Sequence, residues 1–283
     1  MSDEKMKTEL RFGPAGMPIG CKGRTLIEGI EYAAKEGLNA FEVEFVRGVR
    51  INKEIAIQAK KISEARNVLL SCHAPYFINC CSPLKEKQAI TMRNIIQAAE
   101  AAQILGATII VFHPGYYQGQ SPEKAFDNAL ELLKEALKKM KEKKINNVLL
   151  GLETVGKKSQ FGGLDENIEL CRRLGLEHAR PVIDFAHIHA RGDVVLKTKE
   201  DYEEIFSRLK KGLGAQVLEQ LHCHFSGIVF SEKGERHHIP IGNVPPFRLL
   251  AEVIKKHNYK FTIISESPLL DIDALKMKRM VES

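Results

Sequence analysis

Short apolar runs alternate along the chain with longer stretches of helical periodicity. Two of these runs, residues 108–112 and 261–264, are almost entirely apolar, which is typical of parallel strands buried on both faces. Together with six less uniform runs they predict eight strands: residues 10–12, 40–44, 68–70, 108–112, 148–150, 181–183, 217–221 and 261–264.

The stretches between these runs predict helices with recognisable ends. Ser121 offers a side-chain cap, Pro122 suits the first helical position, and Glu123 places an acidic residue in the first turn. Gly37 and Gly106 are predicted to end the helices that precede the second and fourth strands. After Ser121, apolar residues recur at steps of three and four: Phe126, Leu130, Leu133, Leu137 and Met140.

Eight strand–helix units follow one another without a Pro/Gly/Ser-rich linker or a shift in composition. The chain of 283 residues is close to the roughly 250 residues of an α/β barrel. We therefore predict a single (β/α)8 TIM-barrel domain over residues 1–283 rather than an open doubly wound sheet.

Composition narrows the class of protein. Residues 1–7 are mainly polar, so no signal peptide is expected, and no apolar run approaches the ~18 residues that a membrane span requires. The six cysteines then favour reduced thiols in a cytoplasmic protein over a disulfide framework. We expect a monomer that does not bind a membrane. The net charge of +6 suits a polyanionic partner.

Residues that can bind metals lie at the ends of six consecutive predicted strands. Active sites of TIM barrels are built at the carboxyl ends of the strands, so these side chains are expected on one rim. They are His73, His113, Glu153, Asp184, His222 and Glu266. Two further candidates, Glu235 and His237, lie on a predicted long loop after the seventh strand, and His187 follows Asp184 by three residues.

The number of candidate ligands exceeds what one ion needs. Zinc takes about four ligands, and imidazole nitrogens and carboxylate oxygens both suit it. Five histidines and four carboxylates with one bridging carboxylate would supply three zinc ions, although Mn²⁺ or Fe²⁺ would accept the same ligands. Centres with ions about 4 Å apart are suited to phosphoryl transfer.

The motifs around these residues resemble the endonuclease IV family of apurinic/apyrimidinic endonucleases. The matching segments, in the order of that family, are HAPYFIN (73–79), FHPG (112–115), LETVGKKSQFGG (152–163), IDFAHIHARG (183–192), ERHH (235–238) and SES (265–267). The resemblance implies a zinc-dependent hydrolase of base excision repair. Such an enzyme cleaves double-stranded DNA 5′ to an abasic site and leaves a 3′-hydroxyl and a 5′-deoxyribose phosphate.

The resemblance also implies roles for individual residues. The implied ligands are His73, His113 and a bridging Glu153 for the first zinc, Asp184, His222 and Glu266 for the second, and His187, Glu235 and His237 for the third. Glu153 and Glu266 are also the carboxylates expected to act in catalysis.

Three segments depart from the family pattern. Residues 45–50 replace a polar, arginine-containing segment that follows the second strand in bacterial members, so the family's DNA contacts are not carried over there. Glu235 stands where the family usually has aspartate, so the geometry of the third site is open. His222-Cys223-His224-Phe225 replaces the family's His-x-Asn-Asp, and either histidine could be the ligand; His222 is favoured because it precedes His237 by 15 residues, as in the family. His189 and His238 are expected to support the ligands or to lie in the core.

Four residues are candidates for DNA binding. The family places an aromatic–aliphatic pair where Tyr76 and Phe77 stand, and aromatic rings there can stack on bases next to an extruded sugar. Lys157 and Lys158 precede a glycine pair that would let a phosphate approach closely. Packing of the rim loop and simple loop flexibility remain the structural alternatives.

Two other functions stay open. A sugar isomerase or epimerase of the xylose isomerase-like type also has strand-end His, Glu and Asp ligands, but for one or two ions. A non-catalytic nucleic-acid-binding relative could retain the metals for stability alone.

Overall fold

The computed structural model describes residues 9–23 and 25–283, so the polar stretch 1–7, predicted to lack a signal peptide, lies outside it. The strands are β1 (Arg11–Pro14), β2 (Ala40–Glu44), β3 (Leu69–His73), β4 (Ile109–Phe112), β5 (Gly115–Tyr116), β6 (Leu149–Glu153), β7 (Gln160–Phe161), β8 (Ala179–Asp184), β9 (His222–Phe225), β10 (Gly227–Ser231), β11 (Gly234–Ile239) and β12 (Thr262–Ser265). The helices are α1 (Leu26–Lys35), α2 (Lys53–Ala65), α3 (Lys85–Leu105), α4 (Pro122–Glu142), α5 (Leu164–Leu174), α6 (Phe185–Arg191), α7 (Lys199–Leu213), α8 (Phe247–His257) and α9 (Leu270–Glu282).

Eight of the strands form a parallel sheet in the order β1-β12-β9-β8-β6-β4-β3-β2. Its two ends meet where the Gly16 N–H donates to the Glu42 carbonyl at 2.9 Å, beside a single parallel bridge between Ala15 and Glu42. Gly13 permits this approach, because a Cβ there would clash with the Ala40 carbonyl oxygen. The nearly closed barrel with surrounding helices confirms the predicted TIM-barrel fold.

Two apolar layers hold the barrel together. A small cluster of Ile109, Val111, Leu149 and Val182 fills part of its interior. A much larger core lies between the strands and the helices and includes the fully buried rings of Phe112, Phe185, Phe206 and Phe225 among others. Above the interior cluster, the side chains at the carboxyl ends of the strands are mainly polar.

The predicted helix boundaries agree with the structure where a cap was recognised. The Ser121 side chain accepts a hydrogen bond from the Lys124 N–H at the start of α4. Gly106 ends α3 in the left-handed conformation, and Gly37 has a φ of 85°. Within the described residues no helix is long and apolar enough to cross a membrane.

The prediction for the seventh barrel strand was wrong. Residues 215–218 form a short 3-10 helix instead, and β9 begins only at His222. Val217 and Leu218 are buried, as expected of apolar residues. Periodicity, however, cannot distinguish a short apolar strand from a short apolar helix. The loop predicted after this strand is also ordered, because β10 and β11 form an antiparallel hairpin.

Candidate metal centre

Glu153 lies at the middle of the cluster of polar residues. It is the last residue of β6, and its side chain is fully buried. Its Oε2 atom lies 3.1 Å from the Nε2 atoms of both His73 and His113. Its Oε1 atom lies 3.2 Å from Nδ1 of His224 and 3.4 Å from Nδ1 of His187. Oε2 therefore faces His73 and His113, while Oε1 faces His224, as expected of a carboxylate shared by two ions.

The first group of possible ligands comprises His73, His113 and Glu153. His73 ends β3, and its Nδ1 lies 2.9 Å from the Ala74 carbonyl, which can accept a hydrogen bond and leave Nε2 for a metal. Burial by itself lowers the pKa of His73, but Glu44 and Glu153 raise it to about 10. The predicted first set is thus brought together.

The second group comprises Glu153, Asp184, His224 and Glu266. His224 is level with Asp184 in the register of β9 and β8, whereas His222 is level with Val182, two residues lower in the barrel. The Nδ1 atom of His224 lies 3.0 Å from Oε1 of Glu266. The structure therefore corrects the preference for His222: both side chains point inward, but only His224 reaches the rim.

Asp184 fits a cation at this centre. Its Oδ1 atom caps α6 by accepting from the His187 N–H at 2.7 Å. Its Oδ2 atom is buried and has no hydrogen-bond partner among the described residues. Burial and the nearby carboxylates raise the pKa of Asp184 to about 8. A buried, unpartnered carboxylate oxygen is costly unless it meets a proton or a cation, so this residue suits a metal.

The third group comprises Asp184, His187, His238 and Glu266. The Nε2 atoms of His187 and His238 lie 3.3 Å apart. The opposite nitrogens are also engaged: Nδ1 of His187 lies 2.9 Å from the Thr154 carbonyl and Nδ1 of His238 lies 2.6 Å from the Ser226 hydroxyl. Both rings thus direct Nε2 toward the same point.

His237, which was expected in this third set, does not join it. His237 is exposed, and among the described residues it belongs to no group that could hold a metal. The reason is a shift of register within the hairpin, where Phe230 pairs with Glu235 but Val229 pairs with His237. This β-bulge inserts one extra residue and reverses the alternation of side chains, so that Glu235 and His238 share a face.

Glu235 reaches the third group from the side. Its Oε2 atom lies 3.4 Å from Nε2 of His187, and its side chain remains 15% exposed. The hairpin is held there because the Glu235 N–H donates to the Gly156 carbonyl at 2.9 Å. Gly156 allows the contact, since a Cβ there would lie 2.6 Å from that of Glu235. The longer glutamate is therefore compatible with a place at this site.

Two carboxylates inside the barrel, the buried Glu42 and the partly buried Glu44, were missed in the sequence. Glu42 and Glu44 lie on β2 at positions of the same face, and both point into the barrel beside the histidines. Burial raises the pKa of Glu44 to about 7. For Glu42, burial raises the pKa, but His224 and His222 outweigh it and hold the pKa well below its usual range. The signal was present in the Glu-Val-Glu alternation of a strand with an inner face.

A basic and aromatic groove adjoins the candidate metal centre. Tyr76 and Phe77 are 62% and 64% exposed, and they line a cavity of about 770 Å³. Four cationic residues line the same cavity, and none of the described residues around it is acidic: Arg47, Arg50, Lys87 and Arg93. Lys157 and Lys158 are exposed on a separate loop that bridges to the β10–β11 hairpin at Gly234.

Comparisons with known proteins agree with this fold. A family model described as a xylose isomerase-like TIM barrel matches residues 30–278. An uncharacterized protein of Methanocaldococcus jannaschii is 33% identical over 271 residues, which cover 95% of this chain and 96% of that protein. A probable endonuclease 4 of Mycoplasmopsis synoviae is 27% identical over 262 residues, covering 92% and 88%.

Two solved structures share the fold. Endonuclease IV from Thermus thermophilus has a TM-score of 0.70 at 20% identity and covers 96% of this chain and 99% of that one. A D-tagatose 3-epimerase-like protein has a TM-score of 0.69 at 19% identity and covers 92% of each chain. Taken with the match over residues 30–278, these similarities show that the chain belongs to the xylose isomerase-like TIM-barrel family, which has relatives named endonuclease 4.

Proposed function

We propose that this protein is a metal-dependent apurinic/apyrimidinic endonuclease that cleaves the DNA phosphodiester 5′ to abasic sites. The observation that carries the proposal is the position of Glu153, whose Oε2 faces His73 and His113 and whose Oε1 faces His224. The first and second groups share Glu153, and the second and third share Asp184 and Glu266. Such a shared set suits three closely spaced ions, for which we propose zinc, with Mn²⁺ or Fe²⁺ as substitutes.

The chemistry follows from the charge of the site. Bound divalent cations would neutralise the phosphate and lower the pKa of the attacking water. The protein's own contribution is to hold the ligands rigidly. Glu153 and Asp184 are fully buried at strand ends, and backbone or hydroxyl groups orient His73, His187 and His238. A site whose ligands are fixed before the reaction avoids reorganisation during it.

The groove beside the centre supports a nucleic-acid substrate. Arg47, Arg50, Lys87 and Arg93 offer positive charge to a phosphate backbone, and exposed Tyr76 and Phe77 offer rings on which bases can stack. The ring centroids of Tyr76 and His73 are 6.2 Å apart. If Tyr76 filled the gap left by a missing base, the abasic site would therefore lie next to the metal ligands. Lys157 and Lys158 would contact the DNA backbone from the loop that bridges to Gly234.

A sugar epimerase is the second candidate, and one observation favours it. The group Glu153, Asp184, His224 and Glu266 alone would satisfy a single divalent ion, and the fold is as similar to the epimerase-like structure as to the nuclease. That function would leave His73, His113, His187 and His238 without a role. It would also leave the basic groove without a role.

A duplex with one tetrahydrofuran abasic analogue tests the proposal. The purified protein is expected to nick this strand once, on the 5′ side of the analogue, while an intact duplex of the same sequence survives. Removal of ions with a chelator should abolish nicking, and added Zn²⁺ should restore it.

The same preparation separates the alternatives. Metal analysis is expected to find about three ions per chain. One ion per chain together with epimerisation of a ketohexose, and no nicking, would contradict the nuclease in favour of the epimerase. Binding of the abasic duplex without nicking at any metal concentration would indicate a non-catalytic relative.

A further inference from the structure

His224 differs from the other histidines of the centre in how its ring is used. His73, His187 and His238 direct Nε2 toward the candidate metal positions, whereas His224 directs Nδ1 toward Glu153 and Glu266. Its Nε2 atom instead faces down into the barrel, 2.9 Å from Oε1 of Glu42. The ring is fully buried, so whatever fixes Nε2 also fixes Nδ1.

Glu42 is itself held by two other strands. Its Oε2 atom accepts a hydrogen bond from the Ser71 hydroxyl at 2.7 Å and lies 3.0 Å from Nε2 of His222. Glu42, Ser71 and His222 come from β2, β3 and β9, and all three are buried. We call these three residues the Glu42 cluster. It lies beneath the rim and belongs to none of the three groups that meet at Glu153 and Asp184.

The atoms that join the cluster to His224 have no alternative partner. Neither Oε1 of Glu42 nor Nε2 of His224 makes a hydrogen bond among the described residues, although the two atoms lie 2.9 Å apart. In a buried interior an unpaired carboxylate oxygen or ring N–H is costly, so each of these atoms depends on the other.

Glu42, His222 and His224 form a fourth group that could hold an ion, since one ligand atom of each lies within 4.8 Å of the others. Two contacts favour a held carboxylate instead. Ser71 donates to the Glu42 oxygen that faces His222, and Nδ1 of His224 is already directed toward Glu153 and Glu266.

We infer that Glu42 is a positioning residue that keeps the Nε2 proton of His224 and so presents Nδ1 to the metal that Glu153, Asp184 and Glu266 would share. A carboxylate behind a ligating imidazole fixes its tautomer and orientation and raises its basicity. The inference rests on the metal centre of the proposed function, but not on DNA as the substrate.

Metal affinity of the intact protein tests this role. Glu42→Gln keeps the size of the side chain but removes its charge and can offer a donor where an acceptor is needed. We expect it to weaken Zn²⁺ binding in a chelator competition by about 10- to 100-fold and to change the visible spectrum of the Co²⁺-substituted protein. Ser71→Ala should cause a smaller loss of Zn²⁺ affinity, because Glu42 keeps its charge.

Matched controls separate positioning from folding. Asp271 is another buried carboxylate, which accepts from the N–H groups of Ile19 and Gly20 outside the cluster. Asp271→Asn should lower the melting temperature and leave metal affinity and the Co²⁺ spectrum unchanged. If Glu42→Gln does not fold, Ser71→Ala and Glu42→Asp carry the test, and partial affinity in both is expected.

Two results would overturn the inference. One is wild-type affinity with an unchanged Co²⁺ spectrum in Glu42→Gln. The other is the loss of one whole ion in His222→Asn, which would make the Glu42 cluster a metal site in its own right. Failure of the wild-type protein to nick abasic DNA, with the affinity losses present, would count against the nuclease and leave the role of Glu42 supported.

Discussion

The Nε2 atom of His73 lies 3.1 Å from the Oε2 atom of Glu153, although 80 residues separate them in the chain. The barrel brings them together because each is the last residue of its strand, and the carboxyl ends of parallel strands share one rim. Glu153 is thereby surrounded by imidazoles on both of its oxygens.

Glu153→Gln should remove metal and cleavage together. A neutral amide cannot balance two dications, so we expect the loss of at least one ion per chain and a fall in abasic-site cleavage of about 1000-fold or more. Metal analysis and single-turnover cleavage measure the two effects. Glu169→Gln is the control, because Glu169 is a surface carboxylate paired with Arg172 and Arg173. Retained ions and retained cleavage in Glu153→Gln would show that Glu153 is no ligand.

The two neighbouring histidines of β11 should differ sharply. His238→Asn should lose about one ion and reduce cleavage by about 100-fold or more, because its Nε2 lies beside that of His187. His237→Asn should behave like the wild-type protein, since its side chain is exposed. A larger loss of ions and cleavage in His237→Asn than in His238→Asn would contradict the bulge in the hairpin. It would support His237 as the ligand, as the spacing of 15 residues from His222 predicted.

The exposed ring pair and the basic groove should affect DNA binding in different ways. Tyr76→Ala with Phe77→Ala removes stacking but no charge, so binding to abasic duplex should weaken by roughly 1–3 kcal/mol per lost stack, with an unchanged dependence on salt. Arg93→Ala should weaken abasic and intact duplexes alike and reduce the salt slope by about one. Fluorescence anisotropy over a range of salt concentrations measures both. An equal loss of affinity for the abasic and intact duplexes in the ring variant would indicate that the two rings only pack the loop.

Metal binding should release protons. In the ion-free protein Glu44 and Glu153 raise the pKa of His73 to about 10, so its imidazole is protonated at pH 7. A ligand must be deprotonated, and a metal therefore displaces this proton, which makes affinity rise as pH increases toward 10. Calorimetry at about pH 7 in two buffers of different ionisation enthalpy should detect the release of at least one proton per chain. His73→Gln should release about one fewer, and proton uptake on binding would contradict the assignment.

Much of the architecture and part of the site were predictable from local pattern. Alternating apolar runs and capped helices such as α4 predicted the barrel, because strand and helix periodicities depend only on neighbouring residues. Strand-end residues could then be assigned to one rim from topology alone, which placed His73, Glu153 and Asp184 together.

Register was decided only by the tertiary structure. Whether His222 or His224 reaches the rim depends on how β9 aligns with β8, and a shift of two residues keeps the side chain inward but changes its depth. Whether His237 or His238 faces His187 depends on one bulge between β10 and β11. Neither alignment is encoded in the periodicity of a single strand, since each results from pairing with a neighbouring strand. The residue types of the metal centre could therefore be predicted from the sequence, whereas strand pairing determined which of two nearby histidines reaches it.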